Sequence, residues 1–289
     1  MTRGLILDLD NTLYNWVDSF APSFRAMLHV LARVTELNEE TIIESFRKIY
    51  KKYNTVEYSF AIQELDIWNT LDWSKERILH DAVKPARVAF GITRRKHSAL
   101  YPNVRETLYW AKAQDLLLIA YSVAPIYLAE GRLRAFKIDH LFSYLYSWYG
   151  YSVNYGDNLP KNVEPRKTKS RIPNIISLDI STIKPNPNGL IRIINECGLD
   201  VKNSYLVGDS LDKDIALAQE VGVNDIWARY GKTVLSDSIS TLSRITPWNN
   251  DDVKRHDSAQ IFVKPTYIID DFSEIKNFIN PLQLELFSH

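Results

Sequence analysis

The six-residue run Leu116-Leu117-Leu118-Ile119-Ala120-Tyr121 is apolar at every position. A strand with one face in water alternates apolar and polar residues, whereas a continuous apolar run fits a strand buried on both faces of a parallel sheet. The flanking sequence alternates accordingly. Upstream, Asn103 is a cap candidate for a helix carrying Val104, Leu108, Tyr109 and Ala111. Downstream, Ile126 to Phe136 reads as a helix and Leu141 to Tyr149 holds a short strand. A helix from Asn188 to Cys197, closed by Gly198, precedes the strand Ser204-Tyr205-Leu206-Val207. A helix through Ala216, Leu217 and Val221 stops at Gly222, and Asp225-Ile226-Trp227-Ala228 and Tyr267-Ile268-Ile269 are the last strand candidates. Strands alternating with helices need crossover connections, so the expected fold class is α/β with a doubly wound, mostly parallel, Rossmann-like sheet.

The chain opens on another apolar run, Leu5-Ile6-Leu7, which passes into Asp8-Leu9-Asp10-Asn11-Thr12. Two carboxylates and a hydroxyl are thereby delivered into a turn at a strand end. After Thr12 the periodicity becomes helical. Phe20, Phe24, Met27, Leu28, Leu31 and Val34 define one amphipathic helix, and Asn38 can cap a second that carries Ile42, Ile43, Phe46, Ile49, Tyr50 and Tyr53. Further helical pieces are expected from Phe60 to Leu71 and from Ser74 onward, where Pro85 should break or kink the helix. Residues 16–97 therefore read as an all-helical domain inserted into an α/β core made of residues 1–15 and 98–289. Two irregular inserts interrupt that core. Residues 149–173 hold Gly150, Gly156, Pro160, Pro165 and Pro173 with the basic cluster Lys161, Arg166, Lys167, Lys169 and Arg171; residues 232–263 are similarly irregular, though Leu242 and Trp248 suggest that part packs down.

Composition removes several classes. Among 289 residues the 35 basic and 35 acidic side chains cancel, which argues against a globally basic nucleic-acid binder. Cys197 is the only cysteine, so no intrachain disulfide framework exists. Asp8 interrupts the first apolar run too early for a signal peptide, and no apolar stretch approaches the roughly 20 residues that span a bilayer. A soluble, cytoplasmic protein without membrane partners is expected. His29, His80, His97, His140 and His256 lack metal-ligand spacing and read as surface or packing residues.

In a parallel sheet all carboxyl edges face one way, so loops after different strands share one crevice. Asp8 and Asp10 follow the first strand, Ser122 follows Leu116–Tyr121, Lys184-Pro185 precedes a helix, and Asp209 and Asp214 follow Ser204–Val207. Each alone is an ordinary turn or cap. Their order is that of one site. It resembles the haloacid dehalogenase (HAD) superfamily, specifically its phosphatases with a helical cap after the first motif. Asp8, Asp10 and Thr12 match Asp-x-Asp-x-Thr; Ser122 matches the second motif, Lys184-Pro185 the third, and Gly208-Asp209 with Asp214 the fourth. Val123-Ala124-Pro125 departs from the Asn-Gly that commonly follows the second motif.

The resemblance implies Asp8 as a nucleophile that forms an aspartyl phosphate and Asp10 as the group that protonates the leaving alcohol and then deprotonates water. It places Thr12, Ser122 and Lys184 around the phosphate. Up to four carboxylates would meet there with an anionic substrate, and at an effective dielectric near 20 each like pair ~4 Å apart costs about 4 kcal/mol. One lysine cannot offset that, so a hard divalent cation such as Mg²⁺ is expected. By resemblance Asp8, the main-chain carbonyl of Asp10 and Asp209 are its direct ligands, with Asp214 orienting them. The implied partner is a small soluble phosphomonoester, nucleic acid not being expected. A phosphomutase with the same chemistry is the alternative, as is a non-catalytic binding protein on this fold that uses the basic 161–171 segment.

Overall fold

The computed structural model describes residues 2–150, 170–246 and 262–279. The basic residues Lys161, Arg166, Lys167 and Lys169, together with Trp248 and His256, lie outside them. In chain order the elements are β1 (Gly4–Leu7), α1 (Trp16–Thr35), α2 (Glu39–Tyr53), α3 (Ile67–Leu71), α4 (Lys75–Arg77), α5 (Lys84–His97), α6 (Val104–Ala113), β2 (Leu117–Tyr121), α7 (Ile126–Ala135), β3 (Tyr144–Trp148), β4 (Asn174–Leu178), α8 (Pro187–Cys197), β5 (Tyr205–Gly208), α9 (Ala216–Val221), β6 (Asn224–Ala228), α10 (Ser236–Ile245) and β7 (Tyr267–Ile269). The chain divides into two compact units. One comprises Met1–Leu13, Leu100–Tyr230 and Ala259–His289, the other Tyr14–Ala99 and Gly231–Ser258.

The first unit is a seven-stranded sheet in the order β4-β3-β2-β1-β5-β6-β7, with every pairing parallel. The α/β, doubly wound class expected from the alternation is thus the class observed. Strand order runs outward from β1 through β2, β3 and β4, then restarts on the opposite side at β5. That reversal makes the carboxyl edge around β1 the switch point where open α/β sheets bind ligands. Leu5, Ile6 and Leu7 of β1 are fully buried, which is why a run without polar alternation is stable there. The register aligns Leu7 with Ala120 on β2 and with Val207 on β5, so the residues that follow these strands leave the sheet at one level.

Strand β4 has no counterpart in the periodicity analysis. It is an edge strand whose Ile176 and Leu178 turn to the core while Ile175 stays 37% exposed. Adjacent isoleucines on opposite faces blur the alternation that would mark it.

In the second unit, α1 presents Phe20, Phe24, Met27, Leu28 and Leu31 to its interior, and Phe24 meets Phe46 of α2 edge-on with ring centroids 5.1 Å apart. Asn38 caps α2 as expected, its Oδ1 accepting the Thr41 N–H at 2.8 Å. Pro85 does not break its helix. The chain runs from α4 through a π-helical stretch, Ile78–Val83, directly into α5, and Pro85 occupies the first turn, where a missing N–H is tolerated. Residues 232–263, read from sequence as an irregular insert of the core, instead supply α10, which packs on α1 and α2. Its buried positions are Ser238, Thr241 and Ile245, so hydroxyls occupy the stripe that apolar side chains would have advertised. The Arg25 guanidinium fixes that face, donating to the Thr241 hydroxyl at 2.6 Å. Among the described residues no helix is long and apolar enough to cross a membrane.

Candidate active site

Asp8 is the first residue past β1, and its N–H still donates to the Val207 carbonyl at 2.9 Å, which keeps it in line with β5. The turn that follows places Asn11 at φ 60, the left-handed conformation that asparagine tolerates better than most residues. This turn carries Thr12 back over Asp8, where the hydroxyl donates to Asp8 Oδ2 at 3.1 Å. Tyr230 closes the loop, its hydroxyl donating to the Thr12 carbonyl at 2.6 Å.

Lys184 arrives from the β4 side, just before α8, whose first turn is capped by Asn186. Its Nζ donates to Asp8 Oδ1 at 2.6 Å and to Asp214 Oδ1 at 2.7 Å, and it stands 5.0 Å from the centroid of the Tyr121 ring. All three groups are buried. Asp214 sits in the helical turn between β5 and α9, where its other oxygen, Oδ2, accepts the Ser210 N–H at 3.1 Å. Gly208, the last residue of β5, makes room for it: a Cβ there would collide with the Asp214 carboxyl group. Asp209 completes the cluster, and its carbonyl accepts the Trp227 indole N–H at 2.8 Å. One carboxylate oxygen from each of Asp8, Asp209 and Asp214 lies within 4.8 Å of the others.

Burial raises the Asp8 carboxyl to about 8; Lys184 opposes the rise, while Asp214 and Asp209 add to it. Burial acts against the charge on Lys184, but Asp214 and Asp8 outweigh it and hold the ammonium well above its ordinary range. Three carboxylates around one ammonium form an all-oxygen donor set of the kind that suits a hard divalent cation. Asp8, Asp209 and Asp214 can each turn one carboxylate oxygen toward such an ion. Both oxygens of Asp214 also accept hydrogen bonds, from Lys184 and from Ser210, as both oxygens of Asp8 do from Lys184 and Thr12.

Thus Asp8, Thr12, Lys184, Asp209 and Asp214, distant in sequence, are brought together. Asp10 and Ser122 are engaged differently. The Asp10 carboxylate faces Arg132 of α7, whose Nη1 donates to Oδ1 at 2.7 Å and to Oδ2 at 3.0 Å. It is therefore not among the gathered carboxylates, and only its main-chain carbonyl remains for the ligand role that the resemblance assigns. Ser122 is buried at the end of β2, its Oγ accepting the Ala124 N–H at 3.0 Å. Where relatives commonly carry Asn-Gly, β3 braces the loop: the Trp148 indole donates to the Val123 carbonyl at 2.7 Å and the Ser147 hydroxyl to that of Ala124.

Arg132, Tyr121, Tyr230 and Trp227 are the site residues that sequence reasoning missed. Arg132 alone had a signal: it shares the buried face of α7 with Ala129 and Leu133, and a charge on such a stripe calls for a partner. Of the basic cluster near 161–171, Arg171 is the described member, and it is bound to the buried Asp139, with Nη2 2.5 Å from Oδ1.

A HAD-hydrolase-like family model matches residues 182–275. Phosphoglycolate phosphatase of Mannheimia succiniciproducens is 28% identical over 173 residues, which are 57% of this chain and 64% of that protein, less than two thirds of its length. Glyceraldehyde 3-phosphate phosphatase of Methanopyrus kandleri is 24% identical over 261 residues, 88% of this chain and 91% of that one. The crystal structure of a 2-haloacid dehalogenase from Pseudomonas syringae superposes with a TM-score of 0.56 over 96% of this chain and 97% of its own, at 16% identity, a likeness of fold. With the four motifs set along one sheet edge and these relatives beside them, the chain is similar to the haloacid dehalogenase superfamily in both sequence and fold.

Proposed function

We propose that the protein is a Mg²⁺-dependent phosphatase that hydrolyses a small soluble phosphomonoester by way of an aspartyl phosphate on Asp8. The observation that carries this reading is the buried cluster of Asp8, Lys184 and Asp214, with Asp209 beside it, at the switch point of the sheet. The names of the relatives, phosphoglycolate phosphatase and glyceraldehyde 3-phosphate phosphatase, point to the same substrate class.

Hydrolysis of phosphate monoesters is among the slowest uncatalysed reactions, and enzymes accelerate it by up to ~10²¹-fold. Two displacements replace one. In the first, a carboxylate oxygen of Asp8 bonds to phosphorus, the bond from phosphorus to the alcohol oxygen breaks, and Asp10 gives its proton to that oxygen. In the second, water attacks phosphorus, the Asp8–phosphorus link breaks, and the proton of the water passes to Asp10. Lys184 and Thr12 each hold one oxygen of Asp8, which fixes the plane of the nucleophile before substrate arrives. Lys184 and Ser122 then serve the transferring oxygens. Asp8, Asp209 and the Asp10 carbonyl would hold the cation, with Asp214 steadied by Lys184 and Ser210; when bound, the ion neutralises charge on the transferring group.

The test is hydrolysis of a generic aryl phosphate by the purified chain with Mg²⁺, with chelator, and as Asp8→Asn. Activity that requires Mg²⁺ and vanishes in a folded Asp8→Asn protein is the expected result. Equal turnover by wild type and Asp8→Asn rejects the nucleophile.

A further inference from the structure

The turn that carries Asp8 and Thr12 is gripped at its exit by two consecutive carbonyls. That of Thr12 accepts the Tyr230 hydroxyl at 2.6 Å, and that of Leu13 accepts the Tyr101 N–H at 3.0 Å. The two tyrosines also pack on each other edge to face, with ring centroids 4.8 Å apart. Tyr230 is the second residue past β6, and β5 lies between that strand and β1, so a long side chain is needed to reach the turn. Thr12 is fully buried, and a carbonyl orphaned there would be costly, so the phenol sets the orientation of the Thr12 peptide. The Thr12 N–H holds it only weakly, 3.3 Å from the Leu9 carbonyl. The Thr12 hydroxyl in turn donates to Asp8 Oδ2. We infer that Tyr230 is a positioning residue that acts on the nucleophile through Thr12: its hydroxyl fixes the Thr12 peptide, and the Thr12 hydroxyl then fixes one oxygen of Asp8.

This inference rests on the phosphatase reading above, and it makes a demand that the reading alone does not. The phenol gives its proton to a main-chain carbonyl and not to Asp8, so its influence on the nucleophile passes through the Thr12 side chain. In the first displacement a carboxylate oxygen of Asp8 must meet phosphorus in line. Lys184 keeps its hold on Oδ1 whatever Thr12 does, so loss of the second hold lets the carboxylate rotate about the first without leaving the pocket. The chemical step then slows while substrate still binds. Losing either hydroxyl releases the same Asp8 oxygen, and once it is released the other hydroxyl has nothing left to secure. A phenol that served only to pack β6 against the turn would instead cost the same with the Thr12 hydroxyl or without it.

The experiment is a double-mutant cycle on the full chain with saturating Mg²⁺: wild type, Tyr230→Phe, Thr12→Val and the double variant. Single-turnover release of nitrophenolate from 4-nitrophenyl phosphate reports the first displacement alone, as a rate at saturation and a half-saturating concentration. Phe keeps the ring against Tyr101 and Val keeps the shape of Thr12, so each substitution removes one hydroxyl. Misplacing a reacting group by about 1 Å can cost about 10²-fold. Tyr230→Phe is expected to lower the saturated rate by about 10-fold or more with the half-saturating concentration within about 2-fold, and Thr12→Val to lower it at least as much. The double variant should match Thr12→Val within about 2-fold. Tyr101→Leu removes the ring that braces Tyr230, so it should give a smaller loss that also vanishes beside Thr12→Val, and it carries the test if Tyr230→Phe does not fold; Thr12→Ala replaces Thr12→Val in the same event. Losses that multiply, a change in half-saturation alone, or an unaltered Tyr230→Phe would overturn the inference and leave the phosphatase reading standing. Wild-type protein inert toward the ester removes that reading, and this inference with it.

Discussion

Removal of the Lys184 ammonium should be felt first as a loss of stability. The lysine is buried between Asp8 and Asp214 at 2.6 and 2.7 Å, and the three carboxylates around it have oxygens within 4.8 Å of one another. At that outer limit, and at an effective dielectric near 20, each like-charged pair costs about 3.5 kcal/mol. Lys184→Met keeps the length of the side chain and deletes the charge. Part of the repulsion is then relieved by proton uptake, so the expected net loss is the about 3–5 kcal/mol seen when one member of a buried ion pair is removed. For a unit of this size that corresponds to a fall in Tm of roughly 6–20 °C. Thermal melting followed by circular dichroism in chelator, where no cation substitutes for the lysine, reads this directly. A second substitution sharpens the test. Asp8→Asn removes a buried charge that folding disfavours in both backgrounds, but only in the wild type does it also cost the lysine a partner, so it should stabilise Lys184→Met more than it does the wild type. A change of under about 2 °C for Lys184→Met, or an equal effect of Asp8→Asn in both backgrounds, would refute the claim that one buried ammonium holds these carboxylates together.

Gly208→Ala drives a Cβ into the Asp214 carboxyl group, so it should cost about 1–3 kcal/mol and weaken Mg²⁺ binding measured by calorimetry; an unchanged melt would show that the turn yields. Mg²⁺ at a hundredfold excess over its Kd should stabilise the wild type by about 2.7 kcal/mol and chelator should reverse the gain, whereas Asp209→Asn should show little of it; an equal gain in both would move the cation elsewhere. Asp139 offers a pH test away from the site. Burial works against its charge, but the Arg171 guanidinium prevails and holds its carboxyl below the ordinary carboxylate range. A folded-state pKa below the unfolded value adds stability above about pH 4 that is lost as the pH falls through the folded value. The Tm difference between wild type and Arg171→Gln should therefore be open at pH 7 and close below about pH 4, and a difference that stays constant down to pH 2 would contradict the pairing.

How much of this was legible in the sequence depended on whether a residue declared itself to its neighbours. Asp8 was readable as a strand-end residue because an apolar run marks β1, whereas Lys184, 176 positions on, follows the unmarked β4 and was placed only by the helix after it and by the order of the motifs. Strand β4 and helix α10 escaped for the opposite reason. Adjacent Ile175 and Ile176 break the period of two, and Ser238 and Thr241 bury hydroxyls where periodicity seeks hydrocarbon. Pro85 misled because its usual effect presumes a regular α-helix upstream, and the π-helical turn before it is invisible to residue spacing.

Arg132 is the instructive omission, because charge counting came close to requiring it. Four carboxylates against one lysine leave a deficit of three, which a single divalent ion does not fill; with Arg132 included the formal deficit is two, the charge of one such ion. The sequence offered 35 basic residues and no distance by which to choose among them. Helix α7 made the choice, by setting a guanidinium on the stripe shared with Ala129 and Leu133 and within 2.7 Å of Asp10. A net charge at the site is thus a constraint that sequence can state and only the fold can solve.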